Sequence, residues 1–269
     1  MSEPAVLVER DGHVVTVTLN RPDKRNAFNA EVLCRLCDAW DMIDSDPDVR
    51  VAILTGAGGN FSAGADLDRL VGAMLSGKPT ENEFEERIKN DFSLIFKGFL
   101  KEYRTRKPLI AAIEGYCYAG GTEILQATDI RVSARAPRSP SPRCGGGLFP
   151  MSASTIRLPR QISYAHAMEL LLVGDAISPK KAKKWGLINK VVPDGEALAA
   201  ARVYADKIAA NGPLAVVGIK EAVLASDGLA EADAFAKEME IGMVVMASAD
   251  AREGPKGLPR EAHPRLQGK

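Results

Sequence analysis

Apolar and polar residues alternate along the first twenty positions with the period of a β-strand. Apolar residues at 15, 17 and 19 alternate with threonines at 16 and 18, and Asp11-Gly12 separates this run from an earlier one at 6–10. An Asp-Gly pair between two such runs favours a two-residue hairpin turn. The chain is therefore predicted to begin as a β-hairpin.

A unit of buried strand, glycine-rich turn and helix follows the hairpin and occurs twice. A helix with an apolar side at 33, 36, 40 and 43 starts after Asn29, a favourable N-cap, and precedes a strand at 50–55 that leads to a turn at 62–66. A strand at 109–113 leads to a second turn at 118–123, which opens a helix, and another strand is expected at 130–133. This alternation predicts a mixed α/β fold.

Two later stretches have helical apolar patterns. Residues 88, 92, 95 and 99 mark one face of a single long helix, which is expected to lie over the first glycine turn. Another helix is predicted to begin at Ser178-Pro179, a cap followed by a proline at the first helical position, and to stop at Gly186. A strand at 187–192 follows it.

Strand signals disappear after Asp194. One helix has its apolar side at 198, 201, 205 and 208, the sequence at 211–213 breaks it, and another helix has apolar residues at 232, 235, 239 and 246. These helices have more apolar surface than a helical hairpin can bury by itself, so they are expected to pack on the core or on a neighbouring subunit. We predict a core at 1–193, a C-terminal helical region at 194–269 and a homo-oligomer.

Candidate chemistry is concentrated in the two glycine-rich turns. The first reads Ser-Ala-Gly-Ala-Asp at 62–66 and the second Tyr-Ala-Gly-Gly-Thr-Glu at 118–123. Both are built from residues small enough to let a ligand oxygen approach main-chain N–H groups, and the second lies at a helix N-terminus, where unpaired donors and the dipole favour negative charge. We interpret the turns as the two halves of an oxyanion hole, with Glu123 as an acid or base beside it.

Composition limits the classes of function. The 269 residues are 46% hydrophobic, and 35 basic side chains balance 35 acidic ones, so no overall field attracts nucleic acid or an acidic membrane. No segment has the roughly 18 consecutive apolar residues of a membrane span, and none resembles a signal peptide, so a cytoplasmic protein is expected. The basic cluster at 180–184 is interpreted as a solvated helix face, with a contact to ligand phosphates as the alternative.

Other functional classes lack their motifs. The glycine pair at 56 and 58 would need a third glycine at Phe61 to make a dinucleotide fingerprint, and no Gly-Lys-Ser/Thr ending marks a phosphate-binding loop. The three histidines are not accompanied by the GxSxG turn of a Ser-His-Asp hydrolase. Cys34 and Cys37 lie inside a helical pattern without a second pair at zinc spacing. We therefore expect no metal and no cofactor.

Several ordered motifs run almost from end to end of the chain. They are Leu-Asn-Arg-Pro at 19–22 with Asn-Ala at 26–27, Phe-Ser-Ala-Gly-Ala-Asp-Leu at 61–67, Gly-Tyr at 115–116 with Gly-Gly-Thr-Glu at 120–123, Thr-Asp-Ile-Arg at 128–131 and Arg-Leu-Pro-Arg at 157–160. In this order they resemble the crotonase superfamily of enoyl-CoA hydratases and isomerases. The resemblance implies a crotonase-like spiral of ββα units, a C-terminal helical region that builds trimers or hexamers, and an acyl-CoA thioester as the substrate.

The resemblance also implies roles for individual residues. The main-chain N–H groups of Ala63 and Gly120 would hold the thioester carbonyl oxygen, and Glu123 would be the catalytic acid or base. Asp66 is interpreted mainly as a helix start, because Asp is a preferred cap, and Glu114 is assigned a structural role. The implied substrate-binding positions are Ala27, Ser62, Ala63, Gly64, Ala65, Asp66, Leu67 and Gly120.

The sequence departs from the family pattern at Arg143. Family hydratases place a second glutamate before Gly-Leu-Phe-Pro, and counting back from Gly147 puts Arg143 at that position. A guanidinium stays protonated, so it can neither activate water nor donate a proton. When codons are chosen for residues 139–145 and the same bases are read one nucleotide earlier, they encode the family's Pro-Glu-Val. Codons for residues 257–264, shifted by one base, can likewise encode a sequence that resembles family C-termini. Compensated frame shifts within 138–146 and 257–264 are therefore the alternative explanation.

Three functions are consistent with these residues. The leading prediction is an enoyl-CoA hydratase-type lyase of fatty-acid or related acyl-CoA breakdown, in which the two-amide hole stabilises a thioester enolate. The alternatives are an enoyl-CoA isomerase with a single catalytic carboxylate and an acyl-CoA-binding protein without turnover. Because Arg143 stands at the position of the second glutamate, the sequence does not decide between these three functions.

Overall fold

The strands and helices follow the predicted order closely. The computed structural model describes residues 3–72, 79–135, 149–257 and 268, so Arg143, the segment 138–146 and nearly all of 257–264 lie outside the described residues. The strands are Val6–Asp11 (β1), Val14–Leu19 (β2), Val51–Gly56 (β3), Leu109–Ile113 (β4), Ile130–Ala134 (β5) and Lys190–Val192 (β6). The α-helices are Ala30–Ser45 (α1), Glu83–Asn90 (α2), Ser93–Gly98 (α3), Gly120–Leu125 (α4), Ser154–Gln161 (α5), Tyr164–Met168 (α6), Pro179–Lys184 (α7), Ala197–Ala209 (α8), Pro213–Ala225 (α9), Glu231–Met246 (α10) and Ala249–Gly257 (α11). A 3-10 helix spans Pro22–Lys24, and π-helices span Leu67–Gly72 and Glu169–Val173.

The six strands form one sheet in the order β1-β2-β3-β4-β5-β6. β1 and β2 pair in antiparallel fashion across the predicted turn, with Asp11 opposite Val14, and the pairings from β2 to β6 are parallel. Parallel neighbours need crossover connections, and the helices between the strands occupy them. The predicted hairpin and the mixed α/β fold are confirmed.

Both faces of the sheet are covered by helices. On β3, Ala52 and Leu54 face the cluster that contains α1, while Val51 and Ile53 face the cluster that contains α8. This alternation follows from the two-residue period of a strand. On α8 the residues against the sheet are alanines at 197, 201 and 205, whose small side chains let the helix approach closely. The first helix after residue 194 is thus part of the core.

Glu114, the residue after β4, links the sheet to the N-terminus of α8 by hydrogen bonds. Its carboxylate accepts hydrogen bonds from the N–H of Gly195 at 3.2 Å and from that of Ala197 at 3.0 Å. These donors stand at the N-terminus of α8, where a negative charge is favourable. The predicted structural role of Glu114 is confirmed.

The prediction of one long helix across residues 88–99 is wrong. Two helices, α2 and α3, occupy this stretch, and Asp91 lies between them with extended backbone angles of φ −139° and ψ 92°. The Asp91 carboxylate accepts hydrogen bonds from the Ser93 N–H at 3.0 Å and from its hydroxyl at 2.5 Å. Such local side-chain bonds compete with helix continuation. Ile88 and Ile95 remain buried against the core, whereas Phe92 is half exposed.

Two further polar features of the sequence are the cysteine pair in α1 and the lysine cluster in α7, and the phosphate contact of the lysine cluster stays a prediction. Cys34 and Cys37 lie buried in α1, and burial raises the pKa of both thiols, as expected for ordinary helix residues. Lys181 pairs with Glu169 at 2.8 Å, and the other three lysines of α7 are exposed. Among the described residues no cluster of His, Cys, Asp and Glu side chains could hold a metal ion.

Within the same ranges no single helix is long and apolar enough to span a membrane, although α8 and α9 taken together, bent by 107°, reach that length and composition.

Candidate active site

The two glycine-rich turns lie side by side. They join in a parallel bridge, in which the Tyr118 N–H donates to the Ser62 carbonyl at 2.9 Å. Gly64, with φ +94°, is so close to the second turn that a β-carbon there would lie 2.8 Å from the Ala119 Cβ and 3.1 Å from the Gly120 nitrogen. The structure therefore brings together the two segments that the sequence predicts to form one site.

A buried asparagine holds the first turn in place. The Asn26 Nδ2 donates to the main-chain carbonyl oxygens of Ala57 at 2.9 Å and Asn60 at 2.7 Å, and the main-chain carbonyl of Asn26 accepts from the Ser62 hydroxyl at 2.8 Å. The Ser62 hydroxyl oxygen also accepts the Gly64 N–H at 3.1 Å. The side chains of Asn26 and Ser62 are fully buried, so in this structure Ser62 stabilises the turn by its hydrogen bonds.

Asp66 starts the π-helix that follows the first turn. Its carboxylate accepts the Arg69 N–H at 3.1 Å and pairs with the Arg21 guanidinium, also at 3.1 Å. The backbone bond to Arg69 and the guanidinium of Arg21 hold the pKa of the Asp66 carboxyl below its usual range, against the raising effect of burial. The predicted helix-start role is confirmed.

Three other predicted substrate positions stand beside this turn. The Ala27 carbonyl accepts from the Arg21 Nη1 at 2.6 Å, and Ala65 forms a bridge to Phe28. Leu67 is the first residue of the π-helix and has an exposed side chain. Their contact with a substrate stays a prediction.

The two predicted oxyanion donors differ in their surroundings. Gly120 is the first residue of α4, and no acceptor in the described part of the chain takes its N–H. The Ala63 N–H, in contrast, donates to the Arg25 carbonyl at 2.8 Å. Arg25 and Asn26 both have positive φ, 48° and 55°, which turns that carbonyl toward Ala63. A ligand oxygen at Ala63 therefore has to share or displace this hydrogen bond, whereas Gly120 offers its donor directly.

Ala119, immediately before Gly120, has a strained backbone. Its φ of 44° and ψ of −115° lie outside the regions that residues with a β-carbon normally occupy. Such conformations cost about 1–3 kcal/mol and persist where the surrounding structure imposes them. Here the bridge between the two turns and the start of α4 fix Ala119 from both sides.

We expect Ala119→Gly to stabilise the fold by about 1 kcal/mol, because relief of the strain exceeds the extra chain entropy of glycine. Urea denaturation at equilibrium measures this change. Ala153→Gly is the matched control, because Ala153 lies in the milder left-handed region at φ 84° and ψ 10°. A gain at residue 119 no larger than that at residue 153 would contradict the assignment of strain.

Glu123 is buried one helical turn after Gly120. It is 7% exposed, and its Oε1 accepts the Ser152 N–H at 2.7 Å. Burial raises the pKa of Glu123 to about 7, against the lowering effects of hydrogen bonds from the Ser152 and Ser154 N–H groups and of the charges of Arg157 and Lys101. A carboxyl with a pKa near neutrality can both take and give a proton, which is what acid–base catalysis needs.

Several residues around the site were missed in the sequence. Ser152 and Ser154 close over Glu123 from the N-terminus of α5, and the Phe99 ring approaches within 2.9 Å of the place where a Gly120 β-carbon would be. Arg157 belongs to the Arg-Leu-Pro-Arg motif at 157–160, but the motif by itself assigns it no role. The signal available in the sequence was a charged residue between the apolar residues Ile156 and Leu158.

This arrangement defines a class of site. An N–H donor at a helix N-terminus that has no acceptor among the described residues, next to a buried carboxyl whose pKa is about 7, is suited to polarise a carbonyl oxygen and to move a proton beside it. The site therefore belongs to an α/β enzyme that acts next to a carbonyl group.

Comparisons with known proteins identify the family. The family model described as enoyl-CoA hydratase/isomerase matches residues 9–265. The chain is 44% identical over 266 residues to enoyl-CoA hydratase EchA19 of Mycobacterium tuberculosis, across 99% of this chain and 97% of that protein. It is 34% identical to the (E)-benzylidenesuccinyl-CoA hydratase of Thauera aromatica, across 98% of this chain and 99% of that protein. A crystal structure of an enoyl-CoA hydratase from Mycobacterium tuberculosis H37Rv matches with a TM-score of 0.87 and 40% identity, across 99% of this chain and all of that chain.

The chain therefore belongs to the enoyl-CoA hydratase/isomerase family. It has the crotonase fold and is an enoyl-CoA hydratase-like enzyme, a lyase. The predicted resemblance and fold class are confirmed.

Proposed function

We propose that this protein adds water to the double bond of 2-enoyl-CoA thioesters. The observation that carries the proposal is the placement of Glu123, with its pKa of about 7, on the same helix as the Gly120 N–H, which has no acceptor in the part of the chain that the structure describes. The thioester oxygen accepts a hydrogen bond from the Gly120 N–H. It also accepts one from the Ala63 N–H once that N–H has left the Arg25 carbonyl. These two bonds polarise the conjugated double bond toward the oxygen. Donors preorganised for an enolate oxygen stabilise it most when its charge develops.

The proton transfers follow from this geometry. Glu123 as a carboxylate takes a proton from water while the water oxygen bonds to the β-carbon. The electron pair of the double bond moves onto the thioester oxygen as an enolate, and collapse of the enolate takes a proton at the α-carbon. A single carboxyl that alternates between its two forms can serve both proton transfers, and a pKa near neutrality keeps both forms accessible.

The test is a hydration assay with trans-2-butenoyl-CoA, which follows loss of the absorbance of the conjugated thioester. Turnover above the buffer rate is the expected result. Binding of the thioester with neither hydration nor isomerisation, and with unchanged affinity in Glu123→Gln, would instead support the acyl-CoA-binding protein.

Arg143 is the observation that favours a second enzyme function. If the arginine is present in the protein, it favours an isomerase with a single catalytic carboxylate. The assay for that activity is the conversion of a 3-enoyl-CoA to its 2-enoyl isomer. The mass of the proteolytic peptide spanning residue 143, from protein of the native source, decides between Pro-Arg-Cys and Pro-Glu-Val. Pro-Glu-Val restores a two-carboxylate hydratase site.

The acyl group and the cellular role are part of the proposal. One of the relatives is named for hydration of benzylidenesuccinyl-CoA, so family membership leaves the acyl group open. We assign the protein to fatty-acid or related acyl-CoA breakdown in the cytoplasm, acting without a metal or a separate cofactor. Hydration rates across a series of 2-enoyl-CoA chain lengths test this assignment.

The helices α9 and α10 support the proposal of a trimer or hexamer. Each of the following apolar side chains on them is more than half exposed: Ile219, Val223, Phe235, Met239, Met243, Val244 and Met246. Apolar surface of this extent on a soluble protein marks an interaction site. A second copy of the chain is the partner that the family resemblance implies.

We expect Met239→Glu to lower the oligomeric mass of the protein, because a charge at the centre of this face would be buried without a partner. Light scattering coupled to size-exclusion chromatography measures the mass. Val8→Glu is the control, since Val8 is an exposed apolar residue on the edge strand β1, which packs on β2 and α1. Equal masses for the two variants and the wild type would contradict this interface.

A further inference from the structure

Arg157 is a buried cation that the proposed reaction does not use directly. It lies on α5, is 6% exposed, and its Nη2 donates to the carbonyl oxygen of Leu100 and, at 3.2 Å, to that of Lys101. Its Nη1 is buried and has no hydrogen-bond partner in the described part of the chain. Burying a guanidinium with an unfilled donor is costly unless another interaction compensates.

The first compensation is structural. Leu100 has a positive φ of 55°, so the turn that follows α3 adopts a conformation that residues with a β-carbon rarely hold. The Arg157 guanidinium bridges the two successive carbonyl groups of this turn. Phe99 precedes it, and its ring lies against Gly120 and makes an edge contact with Phe28 at 4.8 Å. Arg157 therefore fixes the residue that packs against the donor of the hole.

The second compensation is electrostatic. α5 also presents the Ser152 and Ser154 N–H groups to Glu123, and Arg157 lies on the same helix, so its positive charge acts on the carboxylate through space. The charged groups that act on Glu123 from the surrounding elements are Arg157 on α5 and Lys101 in the turn after α3. Burial lowers the pKa of Arg157 to about 10, so it stays charged at neutral pH.

We propose that Arg157 is a positioning residue of this site: it clamps the turn at 99–101 that packs Phe99 against Gly120, and it carries a buried positive charge on the helix whose first N–H groups bind the Glu123 carboxylate. The catalytic meaning of this role rests on the proposed function, whereas the charge and the clamp are properties of the fold. The two parts can be separated by substitution. Both Gln and Lys at 157 lose the planar fork that bridges the two carbonyl groups of the turn, but Lys keeps the positive charge and the shorter, neutral Gln does not, so the difference between the two variants isolates the charge.

The charge is tested by carbon-13 NMR titration of the Glu123 carboxyl in protein with labelled glutamate, its signal being assigned by its absence in Glu123→Gln. We expect Arg157→Gln to raise the titration midpoint above that of Arg157→Lys, by up to about one pH unit, because a positive charge near a carboxyl lowers its pKa. Arg157→Lys should leave the midpoint where it is. In both variants the acid limb of the pH profile of kcat/KM should follow the NMR midpoint.

The clamp is tested by turnover. We expect Arg157→Lys to lower kcat about tenfold with KM little changed, because small misplacements of reacting groups are costly. Arg131 supplies matched controls, since it is 7% exposed, binds the Gln126 and Thr128 carbonyls, and does not act on the Glu123 charge. Arg131→Gln and Arg131→Lys should lower Tm and leave the Glu123 midpoint unchanged.

If Arg157→Gln folds and its Glu123 titration midpoint is that of the wild type, the electrostatic role of Arg157 is overturned. If Arg157→Lys has the kcat of the wild type, the clamp is overturned. If Arg157→Gln does not fold, the Lys variant still decides the clamp. If the wild type hydrates no enoyl-CoA, the proposed function fails while the NMR titration still decides the charge.

Discussion

Glu123→Gln is expected to lower kcat for hydration by about 10²- to 10⁴-fold, the usual contribution of a positioned acid or base. The amide is nearly isosteric and can still accept the Ser152 N–H, so the site keeps its shape and loses its proton carrier. Steady-state kinetics with trans-2-butenoyl-CoA measure the loss. Substrate affinity should change little, because the Gly120 N–H remains available to the thioester oxygen. Turnover within a few fold of the wild type would exclude Glu123 as the proton carrier.

The same substitution should stabilise the fold in a pH-dependent way. Burial raises the pKa of Glu123 from an ordinary value of 4.5 to about 7. A carboxyl whose folded pKa is raised contributes its stability in full below pH 4.5 and loses it as the pH rises through 7. Ionising this group in the folded protein at pH 8 costs about 3 kcal/mol, an order of magnitude that follows from the size of the shift.

Gln avoids this cost because it carries no charge. Glu123→Gln should therefore raise Tm at pH 8 relative to the wild type and have little effect near pH 4.5. Thermal unfolding at the two pH values measures the difference. A variant that loses both activity and stability at pH 8 would indicate that Glu123 serves mainly as the cap of α5.

Gly64→Ala should abolish most activity by a different route. A β-carbon at Gly64 would lie 2.8 Å from the Ala119 Cβ, 2.9 Å from the Tyr118 carbonyl oxygen and 3.1 Å from the Gly120 nitrogen. The two turns must separate to admit it, which moves the donors of the hole apart. Loss of one oxyanion donor costs about 10²- to 10³-fold in kcat, and we expect an effect of that size.

Gly186→Ala is the control for this experiment. Gly186 has a similar φ of +85°, yet a β-carbon there would meet nothing within 4 Å, so the substitution reproduces the backbone strain without the clash. Both variants should lose stability from the positive φ, and only Gly64→Ala should lose activity. Equal losses of kcat would show that the contact between the turns is unimportant for turnover.

Local patterns were sufficient for much of the fold. The Asp11-Gly12 hairpin, the strand at Leu109–Ile113 and the start of α4 at Gly120 lie where the sequence predicts them. Each depends on residues within a few positions of one another. The break between α2 and α3 escaped the apolar pattern, because the Asp91 side chain competes locally with the helix through its bonds to Ser93.

The sequence by itself determined that Gly120 and Glu123 share one site, since three residues on one helix fix their separation. Only the tertiary structure decided that α5, about thirty positions later, closes over Glu123 and raises its pKa through burial. The same holds for the Arg25 carbonyl at Ala63 and for the Arg157 contacts with the turn at 99–101. These are contacts between segments far apart in the chain, and the packing of the folded core sets their geometry.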